Sequence, residues 1–287
     1  MRLLKFKQVD VFTRVPFSGN PVAVVLEGEG LSTAQMQNIA AWTNLSETTF
    51  VLPPSSTAAD YLLRIFTPRM ELPFAGHPTI GSAHAVLEAG IVKAKSGRLR
   101  QECGAGILDL QVDGDTIWLD SPAATETPLT DSDFKGLEAS LRAKTQGTPR
   151  IINVGPRWLV AELANADAVA ALVPDMQAMT DLSNRLSIGG VTVYGASADG
   201  QSALHVRSFA PAHGIPEDPV CGSGNISVAA YIVKTGQTAR VGASYVARQG
   251  MQLGRDGRVS VRIEGEKIYL GGSAVTCVEG SLRSPAG

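Results

Sequence analysis

The sequence predicts an α+β protein built from two related domains. Short strand patterns punctuated by turns alternate with a few helix patterns, and the 30 glycines and 16 prolines are scattered along the chain. A length of 287 residues suits two domains of about 100–200 residues each. A segment of the first half also matches a segment of the second half, which indicates an internal duplication.

The strand patterns follow from alternating or continuous apolar residues between turn residues. In the first half they cover residues 3–11, 21–26, 48–52 and 61–66, with two or three more strands within 97–120 that turn at Asp113-Gly114. A helix begins after Ser32, because Ser32 and Gln35 have the spacing of a capping box. In the second half, a loop at 121–128 precedes a polar helix at 129–145. Strands are predicted at 151–154, 158–162, 191–194 and 203–209, helices within 164–185, and further strands within 243–282.

The duplication is clearest in two glycine turns that precede small, apolar helices. ELPFAGHPTIGSAHAVLEAG begins at Glu71 and EDPVCGSGNISVAAYIVKTG begins at Glu217, so the two align without gaps at an offset of 146 residues. In this alignment Gly76 corresponds to Gly222. The alternative to an internal duplication is that two glycine turns resemble each other by chance. We predict one domain at 1–125, a second at 126–270, and a final segment at 271–287 that crosses back to the first domain.

Composition excludes several classes of protein. The 25 Lys and Arg residues nearly balance the 27 Asp and Glu residues, which leaves no basic field for nucleic acid or anionic lipid. No apolar run approaches the ~18 residues of a membrane span, and the first residues lack the apolar stretch of a signal peptide. Three cysteines without a C-x-x-C pair do not form a disulfide framework. We therefore expect a cytoplasmic protein with neither nucleic-acid nor membrane partners.

The two glycine turns predict an anion site. A helix N-terminus presents backbone N–H groups and partial positive charge, and Gly76 and Gly222 let a ligand approach that backbone closely. A carboxylate is the simplest anion for such a site. The alternative is that the glycines only permit tight strand-to-helix turns. Both helices have little polar surface, which indicates that each is buried at the centre of its domain.

Side chains at the turns are proton-transfer groups. His77 follows the first turn glycine, while Asp218, Cys221 and Ser223 flank the second. A lone histidine is more often structural, but His77 and Ser223 correspond at the same offset of 146, which favours a functional interpretation. Metal and nucleotide motifs such as H-E-x-x-H and the P-loop do not occur in the sequence, so it favours acid–base chemistry without a cofactor.

Glu47 is a further candidate. It precedes the apolar strand TTFVLP, where desolvation would raise the pKa of its carboxyl toward neutrality and suit it to accept and return a proton. From spacing alone, a solvated carboxylate at a strand end is the better interpretation. For Glu71 and Glu217 two interpretations remain open: they act at the site, or they are residues of surface turns.

Four segments together resemble a known family. VDVFTRVPFSGNPVAVV, LSETTFVLPP, RIFTPRMELPFAGHPTIGSAHAVL and DPVCGSGNISVAAYI occur in this order over nearly the whole chain. They resemble the phenazine-biosynthesis (PhzF-like) isomerases, which are related to diaminopimelate epimerases and proline racemases. The resemblance implies two pseudo-symmetric domains of the diaminopimelate epimerase-like fold, each a curved, mostly antiparallel sheet around a central helix. It also implies a homodimer, no cofactor, and an active site between the domains.

The resemblance assigns roles to individual residues. The family's catalytic glutamate falls on Glu47, its histidine on His77, its aspartate on Asp218 and its serine on Ser223. Glu47 would remove a proton from a carbon of a small, unsaturated, carboxylated ring and return it to another carbon, while the other three hold the substrate and assist. We also assign substrate binding to turn and neighbouring positions: Asn20, Gly76, Pro78, Cys221, Gly222 and Gly224. No metal ligand is expected.

Cys221 leaves a second activity open. The racemase branch uses two facing thiols, and Cys221 occupies the place of one while Ala75 occupies the place of the other. One thiol cannot perform a two-thiol epimerisation. The alternatives to a PhzF-like isomerase are an amino-acid epimerase that uses Cys221 with another base, and a non-catalytic protein that binds small anions.

Overall fold

The computed structural model describes residues 2–284, which form 18 strands and seven α-helices. The strands are β1 Leu3–Val11, β2 Asn20–Val25, β3 Thr48–Leu52, β4 Tyr61–Phe66, β5 Glu71–Leu72, β6 Arg98–Cys103, β7 Gly106–Asp113, β8 Thr116–Asp120, β9 Thr125–Pro128, β10 Gln146–Asn153, β11 Arg157–Glu162, β12 Gly190–Ala196, β13 Leu204–Ala210, β14 Ile215–Asp218, β15 Ser244–Gln249, β16 Gly257–Glu264, β17 Lys267–Gly272 and β18 Ala274–Arg283. The helices are α1 Thr33–Thr43, α2 Gly76–Glu88, α3 Asp131–Leu141, α4 Ala166–Ala170, α5 Met176–Leu186, α6 Gly222–Lys234 and α7 Thr238–Val241.

Local sequence signals predicted several elements closely. β1, β3 and β4 have the predicted bounds. The capping box before α1 is confirmed: the Ser32 hydroxyl accepts from the Gln35 backbone N–H at 3.2 Å, and the Gln35 side chain accepts from the Ser32 N–H at 2.9 Å. The hairpin between β7 and β8 turns at Gly114-Asp115, with Gly114 at φ +60°.

One loop prediction was wrong. Residues 125–128 form β9, which pairs antiparallel with β10 although all four side chains are exposed. Because none of these side chains is buried, the strand depends on backbone pairing and on an ion pair between Glu126 and Arg150 of β10, at 2.7 Å. Neither leaves an apolar alternation in the sequence.

The chain divides into two compact units. One consists of the residues up to Leu119 together with those from Gly271 onward, and the other is Asp120–Leu270. Both contain the same succession of pairings. In the first unit, β1 and β2 form a hairpin, β2 pairs parallel with β3, β3 antiparallel with β4, and β4 parallel with β6. In the second, β10, β11, β12, β13 and β15 repeat that order. The duplication inferred from the sequence is therefore present in the topology.

In the first unit, α2 is the central helix and packs against β1, β2, β3, β4 and β18. Nine of its 13 residues are buried, as its small and apolar composition predicts. A Cβ on Gly81 would lie 2.5 Å from the Val22 side chain, so this glycine lets the helix approach the sheet closely. A separate apolar cluster that includes Met36 and Phe50 holds α1 against the strands.

In the second unit, α6 has the corresponding place and packs against β10, β11, β12 and β16. Ten of its 13 residues are buried. A further core of the same unit joins α3, α4 and α5 to β10–β13, with Leu137, Leu182 and Phe209 among its buried members. Over residues 2–284, no helix has both the length and the apolar character needed to cross a bilayer.

Candidate active site

Glu47 and His77 come together within the first unit. Glu47 is the last residue before β3, after α1 ends with Asn44 in the left-handed region at φ +53°. His77 is the second residue of α2. The His77 Nε2 atom lies 3.3 Å from Glu47 Oε2, and the two side chains are 9% and 15% exposed. The two side chains are therefore in direct contact.

Burial changes the acidity of Glu47. Loss of solvent raises the pKa of its carboxyl from the ordinary value of 4.5 to about 7, against a smaller opposing effect of a hydrogen bond from Ser46. Glu47 Oε2 is itself buried and has no hydrogen bond of good geometry. The solvated strand-end carboxylate, which spacing alone favoured, is not what the structure shows. A carboxyl with a pKa near 7 can both accept and return a proton at neutral pH.

The N-terminus of α2 lacks a side-chain cap. Its N-cap residue is Ala75, in extended conformation, and Pro78 in the first turn has no N–H group. Among residues 2–284, no acceptor is bonded to the N–H of Gly76. This end of the helix therefore offers a donor to an external anion.

Asn20 is buried at the start of β2, opposite Val11. In the turn PFSGNP, Gly19 and Asn20 are the residue types best suited to a positive φ, but the residue that has one is Phe17, at +68°. Gly19 is instead needed because its backbone closely approaches that of Val11: a Cβ on Gly19 would lie 2.3 Å from the Val11 carbonyl oxygen.

The second unit brings Asp218, Cys221 and Ser223 together at the start of α6. Asp218 ends β14, and its Oδ1 accepts from the Val220 N–H at 3.0 Å. Cys221 is the N-cap residue, and its sulfur accepts from the Gly224 N–H at 3.3 Å. Gly224 is required here, because a Cβ would lie 2.5 Å from Ser208 Oγ.

Ser223 has a partner that the sequence analysis missed. The Trp158 indole Nε1–H donates to Ser223 Oγ at 3.0 Å, and the serine oxygen also lies 3.6 Å from Cys221 Sγ, where either group can be the donor. The N–H groups of Gly222 and Ser223 have no acceptor within the described part of the chain. No local signal near Trp158 marks it as a site residue, since it lies 65 positions earlier on β11.

The Cys221 thiol is protonated at neutral pH. Burial, and then the neighbouring Asp218, raise the pKa of Cys221 well above the ordinary thiol value. A neutral thiol is a poor base and nucleophile. Cys221 therefore acts as a helix cap in this structure, which disfavours the epimerase alternative.

Glu71 and Glu217 hold corresponding ion pairs. Both oxygens of Glu217 accept from the Arg207 guanidinium, at 2.9 and 2.7 Å, and this pair is buried. Glu71 forms the same two-point pair with Arg64, at 2.7 and 2.6 Å, in a more exposed setting. Each glutamate precedes a glycine turn, so these pairs anchor the strands that lead into α2 and α6. The repeated Arg-x-Phe of β4 and β13 was the sequence signal that could have identified them.

Within residues 2–284, no cluster of three or more His, Cys, Asp or Glu side chains has a geometry that would hold a metal ion.

Comparison with known proteins places these features in a family. The model of the family described as "Phenazine biosynthesis-like protein" matches residues 9–280. The chain is 42% identical to antisense-enhancing sequence 1 of Schizosaccharomyces pombe, over 96% of this chain and 97% of the relative. It is 35% identical to trans-2,3-dihydro-3-hydroxyanthranilate isomerase of Pseudomonas fluorescens, again over 96% of this chain and 97% of the relative. A crystal structure of the Bacillus anthracis phenazine biosynthesis protein of the PhzF family covers 99% of this chain, is itself covered over its full length, and has a TM-score of 0.84 at 27% identity.

Fold and relatives together define an isomerase with the α+β architecture of the diaminopimelate epimerase-like proteins, as predicted. The chain belongs to the phenazine biosynthesis-like (PhzF) family.

Proposed function

We propose that this protein moves a proton between two carbons of a small carboxylated substrate, with Glu47 as the catalytic base and acid. The observation that carries the proposal is the buried Glu47 carboxyl, whose pKa is raised to about 7 by desolvation and which lies 3.3 Å from His77. A single group of this acidity can remove a proton and deliver it again within one turnover.

The proton and electrons balance within the substrate. The Glu47 carboxylate takes a proton from an sp3 carbon, and the C–H electrons move into the adjacent unsaturated system. The same carboxylic acid then returns the proton to another carbon of that system, so no external oxidant or base is consumed. The compound in the name of several relatives, trans-2,3-dihydro-3-hydroxyanthranilate, is a substrate of this kind and the first one to test.

The remaining site residues would hold the substrate. The N–H groups of Gly76, Gly222 and Ser223 suit its carboxylate, and His77, Asp218 and Ser223 supply polar side chains. The proposal includes a substrate held between the two units, with Asn20, Pro78, Cys221 and Gly224 in its surroundings. A homodimer and independence from cofactors complete it and come from the family resemblance, and a cytoplasmic location comes from the composition.

Exchange with solvent deuterium tests the mechanism. With trans-2,3-dihydro-3-hydroxyanthranilate in D2O, the wild-type protein is expected to isomerise the compound. The receiving carbon keeps the substrate's own proton when transfer is direct and carries deuterium when the Glu47 carboxyl exchanges with solvent before it returns the proton. Glu47→Gln is expected to lower turnover by about 100-fold or more, as for loss of a general base. Glu102→Gln is the control, because Glu102 is a partly exposed carboxylate bonded to Ser55 in the same unit. Equal turnover in wild type and Glu47→Gln would rule out the mechanism.

A non-catalytic anion binder is the second candidate. It is favoured by the same N–H groups at the start of α6, which require only an anion and no proton transfer. In that case benzoate would raise the melting temperature of the wild-type protein, while no enolisable carboxylic acid would exchange its protons in D2O.

A further inference from the structure

A buried amide link spans the turn before α6. Asn225 is the fourth residue of that helix, and its Nδ2 donates to the Cys221 carbonyl oxygen at 2.9 Å and to Gln249 Oε1 at 2.8 Å. Gln249, the last residue of β15, donates from Nε2 to the Asp218 carbonyl oxygen at 3.0 Å. Asn225 is 1% exposed and Gln249 is 0% exposed. Two side-chain amides therefore connect both ends of the turn from Asp218 to Cys221.

We propose that Gln249 and Asn225 are positioning residues for the reaction, acting through Asp218 and the first turn of α6. The inference rests on the proposed function for its catalytic part. Gln249 fixes the backbone of Asp218, and Asn225 fixes the backbone of Cys221. Between these two points the chain sets the direction of the Asp218 carboxylate and of the N–H groups of Gly222 and Ser223.

Burial makes the link rigid. Neither amide has access to water, so a donor or acceptor that loses its partner there is not solvated instead. Gln249 uses both its donor and its acceptor, and the Asn225 amide nitrogen donates twice; such a connected network has one favourable arrangement. A change in Gln249 removes the donor to Asp218 and leaves the Asn225 amide with one partner fewer.

The first unit provides a matched control. Gln101 on β6 is also 0% exposed, and its Nε2 donates to the hydroxyl of Thr79, the fourth residue of α2. Its Oε1 accepts from the Tyr61 hydroxyl at 2.9 Å, within the sheet. Gln101 and Gln249 thus both contact the fourth residue of a central helix. They differ in their second bond, which joins Gln101 to Tyr61 and Gln249 to Asp218, where the turn begins.

The experiment compares Gln249→Met with Gln101→Met. One readout is kcat and KM for trans-2,3-dihydro-3-hydroxyanthranilate. The other is the indole N–H resonance of Trp158, which donates to Ser223 and reports the position of the α6 turn without any substrate. That resonance is assigned with Trp158→Phe in ¹⁵N-labelled protein.

We expect both methionine variants to lose thermal stability, because each loses buried hydrogen bonds. Gln249→Met is expected to lower kcat by about 10-fold or more, with a smaller change in KM, and to shift the Trp158 resonance. Gln101→Met is expected to keep the wild-type kcat and the wild-type resonance. A folded Gln249→Met protein with unchanged kcat and resonance would overturn the proposal, and so would an equal loss of kcat in Gln101→Met.

Gln249→Glu decides the matter if Gln249→Met does not fold. Burial raises the pKa of the introduced carboxyl, so that at pH 6 its neutral form still supplies one donor and one acceptor. The expected result is a wild-type Trp158 resonance at pH 6 and a displaced one at pH 9. A resonance displaced at neither pH would contradict the positioning role. If the wild-type protein does not isomerise the substrate, the proposed function fails, whereas the indole resonances still decide whether the amide link positions the turn.

Discussion

Replacing Glu47 by Gln is expected to stabilise the protein at alkaline pH. The folded structure holds the pKa of Glu47 at about 7, while the ordinary value is 4.5, and desolvation is the larger cause. Between these two values the folded state binds more protons than the unfolded state, so the stability of the wild type falls as the pH rises. Above about pH 7 the full cost of the buried charge is present.

The size of the effect follows from the pKa shift. A shift of one pKa unit corresponds to about 1.4 kcal/mol, so a rise from 4.5 to about 7 costs the wild type about 3 kcal/mol at pH 8 and little at pH 4.5. Gln has nearly the same shape as Glu and carries no charge. Glu47→Gln should therefore be more stable than wild type by up to about 3 kcal/mol at pH 8, and nearly equal to it at pH 4.5.

Urea denaturation at pH 4.5, 6 and 8 measures this difference. Glu102→Gln is the matched control, because hydrogen bonds from Ser55 lower the pKa of Glu102 and the sign of its contribution is opposite. The control variant should gain no stability at pH 8.

Equal stability of wild type and Glu47→Gln at pH 8 would refute the reasoning. That result would mean that contacts in the folded protein, such as the one with His77 at 3.3 Å, stabilise the Glu47 carboxylate and offset its desolvation. The pKa of Glu47 would then not be raised, and Glu47 would be a weaker base at neutral pH.

Three further substitutions have expected outcomes. Cys221→Thr should keep at least half of the isomerase activity, because the thiol acts as a helix cap and threonine also caps; loss of proton transfer in this variant would support the epimerase alternative. Glu217→Gln should lower the free energy of unfolding by about 3–5 kcal/mol, because it leaves the buried Arg207 guanidinium without its carboxylate partner. Glu71→Gln, in the more exposed pair, should lower it by about 1 kcal/mol or less, and equal losses in urea denaturation would contradict this. Gly224→Ala should lower the melting temperature, because its Cβ would lie 2.5 Å from a buried hydroxyl, whereas Gly136→Ala in α3 should leave it unchanged or raise it; a stable Gly224→Ala protein would show that α6 can shift.

Much of the fold could be predicted from local sequence. The capping box at Ser32 and the apolar strand after Glu47 are signals carried by neighbouring residues, and the structure has both. The repeated glycine turns predicted the duplication for the same reason. The exposed strand β9 could not be predicted, since its pairing with β10 involves backbone atoms and no apolar pattern.

The site was predictable in its residue types but not in its contacts. Spacing placed Glu47 at a strand end and could not decide whether it was solvated, because burial depends on α2, 30 residues further along the chain. Trp158 and Gln249 could not be identified as site residues from the sequence for the same reason. Each reaches the α6 turn from a strand distant in sequence, at separations of 65 residues from Ser223 and 31 residues from Asp218.

The first unit includes β18, which pairs with β1 along nearly its whole length, from Leu3 opposite Arg283 to Val11 opposite Ala274. Because the ribosome makes β18 after the other 17 strands described above, β1 lacks its native neighbour at one edge until all of them have been made. The unit of residues 120–270 is contiguous, so it can complete its folding during synthesis while the half that was started first is still unfinished.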